Sequence, residues 1–129
     1  MRQLFLILST NIILLSCSTK KNADIMVGND KDDHGCIGSA GYQWSQTKKT
    51  CIRPFEQGTK LNAVSSSSTF AAYILVKGDV IEVFAAEIKG SLILKKIGTN
   101  EWKNKNWEIN KINKIYYLDK DGKTLYKGK

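Results

Sequence analysis

Three cysteines, Cys17, Cys36 and Cys51, are the residues of this chain that are best equipped for covalent chemistry. A thiolate can ligate zinc, act as a nucleophile or form a disulfide, and its surroundings and its cellular compartment decide among these. The compartment is encoded in the residues that precede Cys17.

The N-terminal residues resemble the leader of a bacterial lipoprotein. Arg2 is followed by an apolar run over residues 4–15. That run is shorter than the ~20 residues of a membrane-spanning helix and is typical of a signal-peptide core. It ends in Leu-Leu-Ser-Cys at residues 14–17, which resembles a lipobox. The resemblance implies that residues 1–16 are removed, that Cys17 is lipidated, and that the protein is anchored in the envelope rather than spanning it.

Cys36 and Cys51 are the two cysteines that remain. An exported chain lies in an oxidising compartment, so we predict a disulfide between them. Closing a loop of about 15 residues is worth ~3 kcal/mol in the chain-entropy description. With all three thiols consumed, zinc or haem ligation through thiolate is excluded in the mature protein.

The remaining side chains do not assemble a catalytic site. His34 is the only histidine, and the sequence has no glycine-rich phosphate loop and no paired carboxylates at a catalytic spacing. The serine run at residues 65–68 lacks the Gly-x-Ser-x-Gly pattern of a nucleophile elbow. We therefore predict that the protein is not an enzyme and uses no cofactor.

Residues 17–33 are polar apart from a short apolar interruption, and they predict a flexible tether after the lipidated cysteine. If the source is a Bacteroidetes-type organism, surface export of such a lipoprotein is associated with an acidic run directly after that cysteine. Lys20 and Lys21 occupy this place. We therefore expect the protein on the inner leaflet of the outer membrane, facing the periplasm.

The acidic residues at 30–33, followed by His34, resemble the start of a calcium loop. Such a loop needs Asp or Asn at its fifth position and a bidentate Glu at its twelfth. His34 and Gly41 stand there instead. We predict a solvated acidic turn and no metal site.

Residues 42–45 and 50–53 predict two short strands, joined by the polar turn 46–49 and ended by Pro54. A cystine between Cys36 and Cys51 ties the entry of this hairpin to its return strand. Because a two-stranded hairpin is barely stable alone in water, we expect it to pack on a larger body.

The same stretch resembles a family of small lipoproteins and secreted proteins of Bacteroidetes type. The matching residues read Gly-Cys-x-x-Ser-Ala-Gly-Tyr-x-Trp-Ser, Cys-Ile-Arg and Phe-Glu-x-Gly between residues 35 and 58. The family has no established activity, so the resemblance implies no chemistry. It singles out polar and aromatic candidates for partner binding, namely Tyr42, Trp44, Arg53 and Glu56, together with Ser39. The alternative is that these residues have structural roles only: the serine in a turn, the aromatics in packing, and Arg53 and Glu56 in a local ion pair.

The rest of the chain predicts β-structure. Six strands are expected, at residues 70–77, 80–88, 91–97, 107–112, 115–118 and 124–127, with turns at Gly-Asp 78–79 and Asp-Gly 121–122. Residues 98–101 are expected to form a loop. Trp102, a turn at residues 103–106 and the strand 107–112 are expected to form a hairpin with large aromatic ends. The predicted fold is all-β: a small antiparallel meander, barrel or sandwich, with an N-terminal disulfide-stapled hairpin. It occupies one domain, residues 34–129.

The formal net charge is +8, and +7 once Arg2 leaves with the leader. The lysines are scattered rather than gathered into a stripe with stacking aromatics, so we predict no nucleic-acid partner. The charge favours anionic lipid heads or an acidic partner instead.

These features predict a monomeric, non-catalytic binding module, held at the membrane by its lipid and partnered by an unknown envelope protein. The contact would use a strand edge or an aromatic patch around Trp44, Trp102 and Trp107. An alternative is a hydrolase inhibitor, because the architecture resembles the membrane-bound inhibitors of C-type lysozyme, although their Ser-Gly-x-x-Tyr loop is missing here. A small-ligand carrier is weaker still, because six short strands leave little room for a cavity.

Overall fold

In the part of the chain that the structure describes, ten short strands form a closed barrel and a separate two-stranded hairpin. The structure is a computed structural model that describes residues 30–66 and 69–129. The predicted leader (residues 1–16), Cys17 and most of the predicted tether lie outside the described residues, as do two serines of the 65–68 run. The all-β antiparallel fold with a disulfide-stapled N-terminal hairpin is confirmed.

The hairpin consists of β1 (Gln43–Ser45) and β2 (Thr50–Ile52), with Trp44 opposite Cys51. A 3₁₀ turn (Gly38–Ala40) precedes it and a one-turn helix, α1 (Pro54–Gln57), follows it. Pro54 is the first residue of this helix. An N–H at that position has no partner within a helix, so proline, which lacks one, loses no hydrogen bond there. The strand therefore ends where the sequence predicts, before Pro54.

The barrel is an up-and-down meander of eight strands. They are β3 (Thr59–Ala63), β4 (Ala72–Lys77), β5 (Val80–Phe84), β6 (Leu92–Gly98), β7 (Glu101–Asn104), β8 (Trp107–Ile112), β9 (Ile115–Lys120) and β10 (Lys123–Lys127). Each pairs antiparallel with its sequence neighbour, and β10 pairs with β3 to close the ring.

The prediction of six strands was wrong by two. Strand β3 was missed because its sequence, Thr-Lys-Leu-Asn-Ala, buries only Leu61 fully and shows little apolar alternation. The predicted hairpin around residues 103–106 is confirmed, because β7 pairs with β8. Its first strand, however, extends into the predicted loop and the predicted turn. The sequence does not show this, since β7 is four residues long and carries a single core residue, Trp102. The predicted strand 80–88 ends at Phe84, where the chain turns into a loop.

The predicted turns at residues 78–79 and 121–122 are confirmed. Asp121 and Gly122 both have positive φ (52° and 76°), as a two-residue hairpin turn with the right twist requires. Asn113 and Lys114 adopt the same conformation (49° and 70°) without a glycine.

Side chains fill the barrel interior, which is consistent with an eight-stranded barrel. The buried residues of this core are Leu61, Ala72, Ile74, Ile81, Val83, Leu94, Trp102, Trp107, Ile109, Leu118 and Tyr126. Three of them are large aromatics, and they occupy the space that a carried ligand would need.

A second, smaller cluster lies outside the barrel, where the hairpin covers β4 and β5. It consists of Ile52 from the hairpin with Leu75 and Phe84 from the barrel, and Tyr73 packs against it. Strand β5 is thus covered on both faces, since Ile81 and Val83 belong to the core and Phe84 to the outer cluster. A strand buried on both faces need not alternate apolar and polar residues.

Candidate functional site

A cleft of about 490 Å³ lies between the N-terminal segment and the loop that joins β5 to β6. One wall carries Asp30, Asp32, Asp33 and His34, and the strand β1 forms the floor. Residues 89–91, Lys-Gly-Ser, form the opposite wall. Concave sites with an aromatic surface and a few placed polar groups are where proteins usually bind their ligands.

The aromatic surface of the cleft is a stacked pair. The rings of His34 and Trp44 lie 4.3 Å apart between centroids and are inclined by 10°. His34 is exposed and Trp44 is half-buried. The stack fixes the indole in place, so a ligand that contacts it need not pay for ordering it.

The carboxylates of the cleft also hold its backbone. Asp30 accepts hydrogen bonds from the hydroxyl (2.7 Å) and the backbone N–H of Ser39. The Ser39 hydroxyl and amide lower the pKa of Asp30, since both bond to its charged form. Asp32 accepts from the backbone N–H groups of His34 (2.9 Å) and Cys36 (2.8 Å). These bonds set the shape of the acidic wall.

The predicted disulfide joins Cys36 to Cys51, with the two Cα atoms 5.5 Å apart. Cys36 is buried and follows the acidic wall directly, whereas Cys51 lies opposite Trp44 in the hairpin. The bond therefore connects the wall of the cleft to its floor.

Glu82 attaches the whole assembly to the barrel. It is a fully buried carboxylate on the outer face of β5. Its oxygens accept hydrogen bonds from the hydroxyls of Ser45 (2.7 Å), Thr47 (2.6 Å) and Ser91 (2.6 Å). They also accept from the backbone N–H groups of Gln46 (2.6 Å) and Thr47 (3.2 Å). One carboxylate thus joins the turn of the hairpin, the barrel and the loop that borders the cleft.

Burial by itself would raise the pKa of Glu82, because it disfavours the charged form. The hydrogen bonds from Ser91, Thr47, Ser45 and Gln46 outweigh this effect, so the pKa lies below its ordinary value. Glu82 is therefore an ionised, fully bonded anchor.

Arg53 and Glu56, both singled out by sequence, lie beside the hairpin and form a local ion pair at 3.0 Å. The Arg53 guanidinium also lies over the Tyr42 ring, 4.6 Å from its centroid, and donates to the carbonyl of Ala40 at 3.0 Å. Tyr42 contributes to the cleft as well. These contacts match the structural alternative, in which the residues brace the loop around residues 38–42.

Trp102 and Trp107, also proposed for partner binding, lie in the barrel core with only 6% and 7% of their surface exposed. They are therefore separated from Trp44, and the aromatic patch of three tryptophans does not form. A docking strand edge is also missing from the barrel, because every barrel strand in the described part of the chain pairs on both sides.

Sequence reasoning missed Glu82 and the residues that bond to it. The signal was present, since Glu82 interrupts an otherwise apolar strand, Val-Ile-Glu-Val-Phe. A charged residue within such a strand needs partners when it is buried. Its partners come from residues 45–47 and Ser91, which sequence spacing alone does not bring together.

Among residues 30–66 and 69–129, no three His, Cys, Asp or Glu side chains come together as a metal site. In the same part of the chain, neither short helix has the length or apolar content to cross a bilayer.

The fold and the site together define a closed eight-stranded antiparallel barrel that carries a disulfide-stapled hairpin and a cleft between them. Neither the protein-family models, nor the curated proteins, nor the solved structures contain a match to this chain.

Proposed function

We propose that this chain is an envelope lipoprotein, anchored through Cys17, that binds a partner protein rather than catalysing a reaction. The cleft between hairpin and barrel is the observation that carries the proposal. It offers a stacked aromatic surface, carboxylates on one wall and Lys89 on the other. A partner loop that presents a planar or basic side chain beside a hydrogen-bonding group suits this lining.

Rigidity supports a binding role. The disulfide, the Glu82 anchor and the Arg53–Tyr42 contact each fix a different part of the cleft before any partner arrives. A preorganised surface loses less entropy on association, which raises its affinity for a given contact area. The filled barrel interior disfavours the carrier alternative.

Site-specific photo-cross-linking tests the cleft. A photo-reactive amino acid replaces Gln43, which is exposed and lines the cleft, or Lys103, an exposed residue of β7 outside it. We expect one envelope protein to be captured from Gln43 and not from Lys103. The yield of the cross-linked adduct should fall at least about tenfold when His34→Ala or Trp44→Ala removes the stack, because an aromatic anchor is lost. Equal capture from both positions, or capture unaffected by either variant, would overturn the proposal.

Intact-mass analysis and non-reducing peptide mapping of the protein purified from membranes test the anchor. We expect an acylated Cys17 at the N-terminus and a Cys36–Cys51 cystine. An unmodified chain that begins elsewhere would contradict the proposed location. If the captured partner is a hydrolase, its activity with and without this protein distinguishes an inhibitor from an accessory subunit.

A further inference from the structure

We infer that one end of the barrel is a membrane-docking surface that lies against anionic lipid headgroups. This surface, which we call the lysine rim, comprises residues 76–80, 96–101, 111–115 and 127–129. The inference uses the anchor of the proposed function only for its reach and does not depend on what the cleft binds.

The topology gathers these segments at one end. In an up-and-down barrel, alternate strands run in the same direction, so β4, β6, β8 and β10 all finish at the same rim. Backbone hydrogen bonds join the neighbouring segments, from Lys96 N–H to the carbonyl of Asp79 (2.8 Å) and from Lys111 N–H to that of Asn100 (2.9 Å). Gly128 N–H donates in the same way to Tyr116 (2.8 Å). The segments of the rim therefore follow one another along one arc of that end, from residues 76–80 to residues 127–129.

Three large aliphatic side chains are exposed there, one at the end of each of three strands. Val76, Ile97 and Ile112 are 49%, 59% and 56% exposed. Isolated apolar residues on a surface are ordinary. Here they share one rim on alternate strands, which places neighbours about 10 Å apart at the usual spacing between strands.

Lysines surround these aliphatic side chains. The rim contains six, Lys77, Lys96, Lys111, Lys114, Lys127 and Lys129, against only Asp79 and Glu101. Lys96 lies 3.7 Å from Asp79, and Lys111 lies over the Tyr116 ring at 4.8 Å. Lys114, at the tip of the turn between β8 and β9, is exposed. Aliphatic side chains among lysines are the composition that binds the interface of an anionic bilayer.

Charge separates this end from the other. The opposite end also exposes apolar side chains, Val64 (57%) and Phe70 (67%). The loop at that end, however, borders the cleft, whose wall carries Asp30, Asp32 and Asp33. That end also carries five lysines, but five carboxylates offset them: Lys31, Lys89, Lys105, Lys120 and Lys123 against Asp30, Asp32, Asp33, Glu87 and Asp121. The lysine rim has six lysines against two carboxylates. Its excess of positive charge therefore suits an anionic surface better.

The chain before the described residues is long enough for this orientation. Thirteen residue steps separate Cys17 from Asp30. A segment of that length reaches at most about 45 Å. A strand of six residues spans about 20 Å. A lipid on Cys17 therefore permits contact between the lysine rim and the bilayer, although Asp30 lies on the cleft side of the molecule.

Tryptophan quenching by brominated lipids tests the inference in the full mature chain. Ile97→Trp and Ile112→Trp place reporters on the rim, and Val64→Trp and Phe70→Trp provide equally exposed controls at the opposite end. Wild-type protein gives the background from the three native tryptophans. The vesicles contain phosphatidylethanolamine and phosphatidylglycerol, or phosphatidylcholine alone.

We expect quenching of the two rim reporters in anionic vesicles, little in phosphatidylcholine, and little at the control positions. The double change Lys114→Glu and Lys129→Glu should reduce the rim signal at least about tenfold, because each lysine near an anionic surface adds attraction. Salt at 0.5 M should weaken it as well. Equal quenching at both ends, no rim quenching, or quenching independent of lipid charge would overturn the inference.

The intact mass of the same preparation separates this result from the proposed function. If Cys17 carries no lipid, the proposed anchor fails, and flotation of the unacylated chain with anionic and neutral vesicles still tests the rim. If Cys17 is lipidated and the rim reporters are not quenched, the inference alone fails.

Discussion

At the residue scale, Glu82 is the group on which the attachment of the hairpin depends. A buried carboxylate is costly unless its oxygens are bonded, and Glu82 receives bonds from three hydroxyls and two backbone amides. Hydrogen bonds to a charged group contribute about 1.5–3 kcal/mol each, in a non-additive way. The side chain is therefore more important for stability than its exposed neighbours.

We predict that Glu82→Gln lowers the free energy of unfolding by about 3 kcal/mol, since the new amide group cannot accept the bonds that one carboxylate oxygen now accepts. Urea denaturation followed by circular dichroism measures the change. Glu101→Gln, at an exposed position on β7, is the matched control and should change stability by less than about 0.5 kcal/mol. Equal effects of the two substitutions would contradict the anchoring role.

The pH dependence of stability, compared between the wild type and Glu82→Gln, gives an independent check. The folded pKa of Glu82 lies below its unfolded value. Its contribution is therefore present above the unfolded pKa, about 4.3 for glutamate, and is lost as the pH falls through the folded value. The stability difference between wild type and Glu82→Gln should thus shrink as the pH falls below about 4. A difference that stays constant down to pH 2 would show that ionisation of Glu82 does not stabilise the fold.

At the scale of elements, the hairpin is a second layer on a barrel that has its own core. The hairpin contributes Ile52 to the outer cluster but nothing to the eleven buried residues inside the barrel. The disulfide lies wholly within the N-terminal segment. Loss of the disulfide should therefore act on the hairpin before it acts on the barrel.

We predict that the double substitution Cys36→Ser and Cys51→Ser lowers the free energy of unfolding by about 3 kcal/mol, as expected for a cystine that closes a loop of 15 residues. Hydrogen exchange should show lost protection in β1 and β2, while β8 and β9 remain protected. A change of Ser39→Ala, which leaves the cystine intact, serves as a local control. Simultaneous loss of protection in the hairpin and in all barrel strands would argue for a single cooperative unit instead.

At the scale of the whole molecule, the ring is closed by its shortest junction. Strands β3 and β10 are joined through two residue pairs, Tyr126–Ala63 and Lys127–Asn62, whereas β8 and β9 share six. The hydroxyl of Tyr126 adds bonds of 2.9 and 2.8 Å to the Glu87 carboxylate, in the loop between β5 and β6. That contact supports the closure from across the barrel.

We predict that the barrel opens first between β3 and β10, because this junction has the fewest paired residues. Native-state hydrogen exchange should show the fastest strand amides there and the slowest in β8 and β9. Tyr126→Phe, which removes only the hydroxyl, should accelerate exchange in β3 and β10 and lower stability by about 1 kcal/mol. The control is Tyr117→Phe, because Tyr117 lies on β9 next to the core residue Leu118 and faces away from the barrel interior. Uniform exchange across all junctions would refute this order of opening.

The fold class, the main turns and the disulfide could all be predicted from the amino-acid sequence. Asp121 and Gly122 adopt the left-handed conformations that their residue types favour, and Pro54 ends β2, since these effects act within a few residues. The Cys36–Cys51 pairing was predicted by assigning Cys17 to the lipid, which leaves one possible pair. The leader and the lipid on Cys17 remain predictions from the same sequence.

The number of strands, the closure of the barrel and the composition of the cleft depend on contacts between distant parts of the chain. Strands β3 and β7 each bury a single side chain fully, so their pairing partners rather than their own pattern make them strands. Trp102 and Trp44 look alike in sequence, yet one faces the core and the other the cleft. Glu82 is bonded by residues about 35 positions earlier in the chain. These contacts depend on packing between residues far apart in the chain, and local sequence propensity does not reveal them.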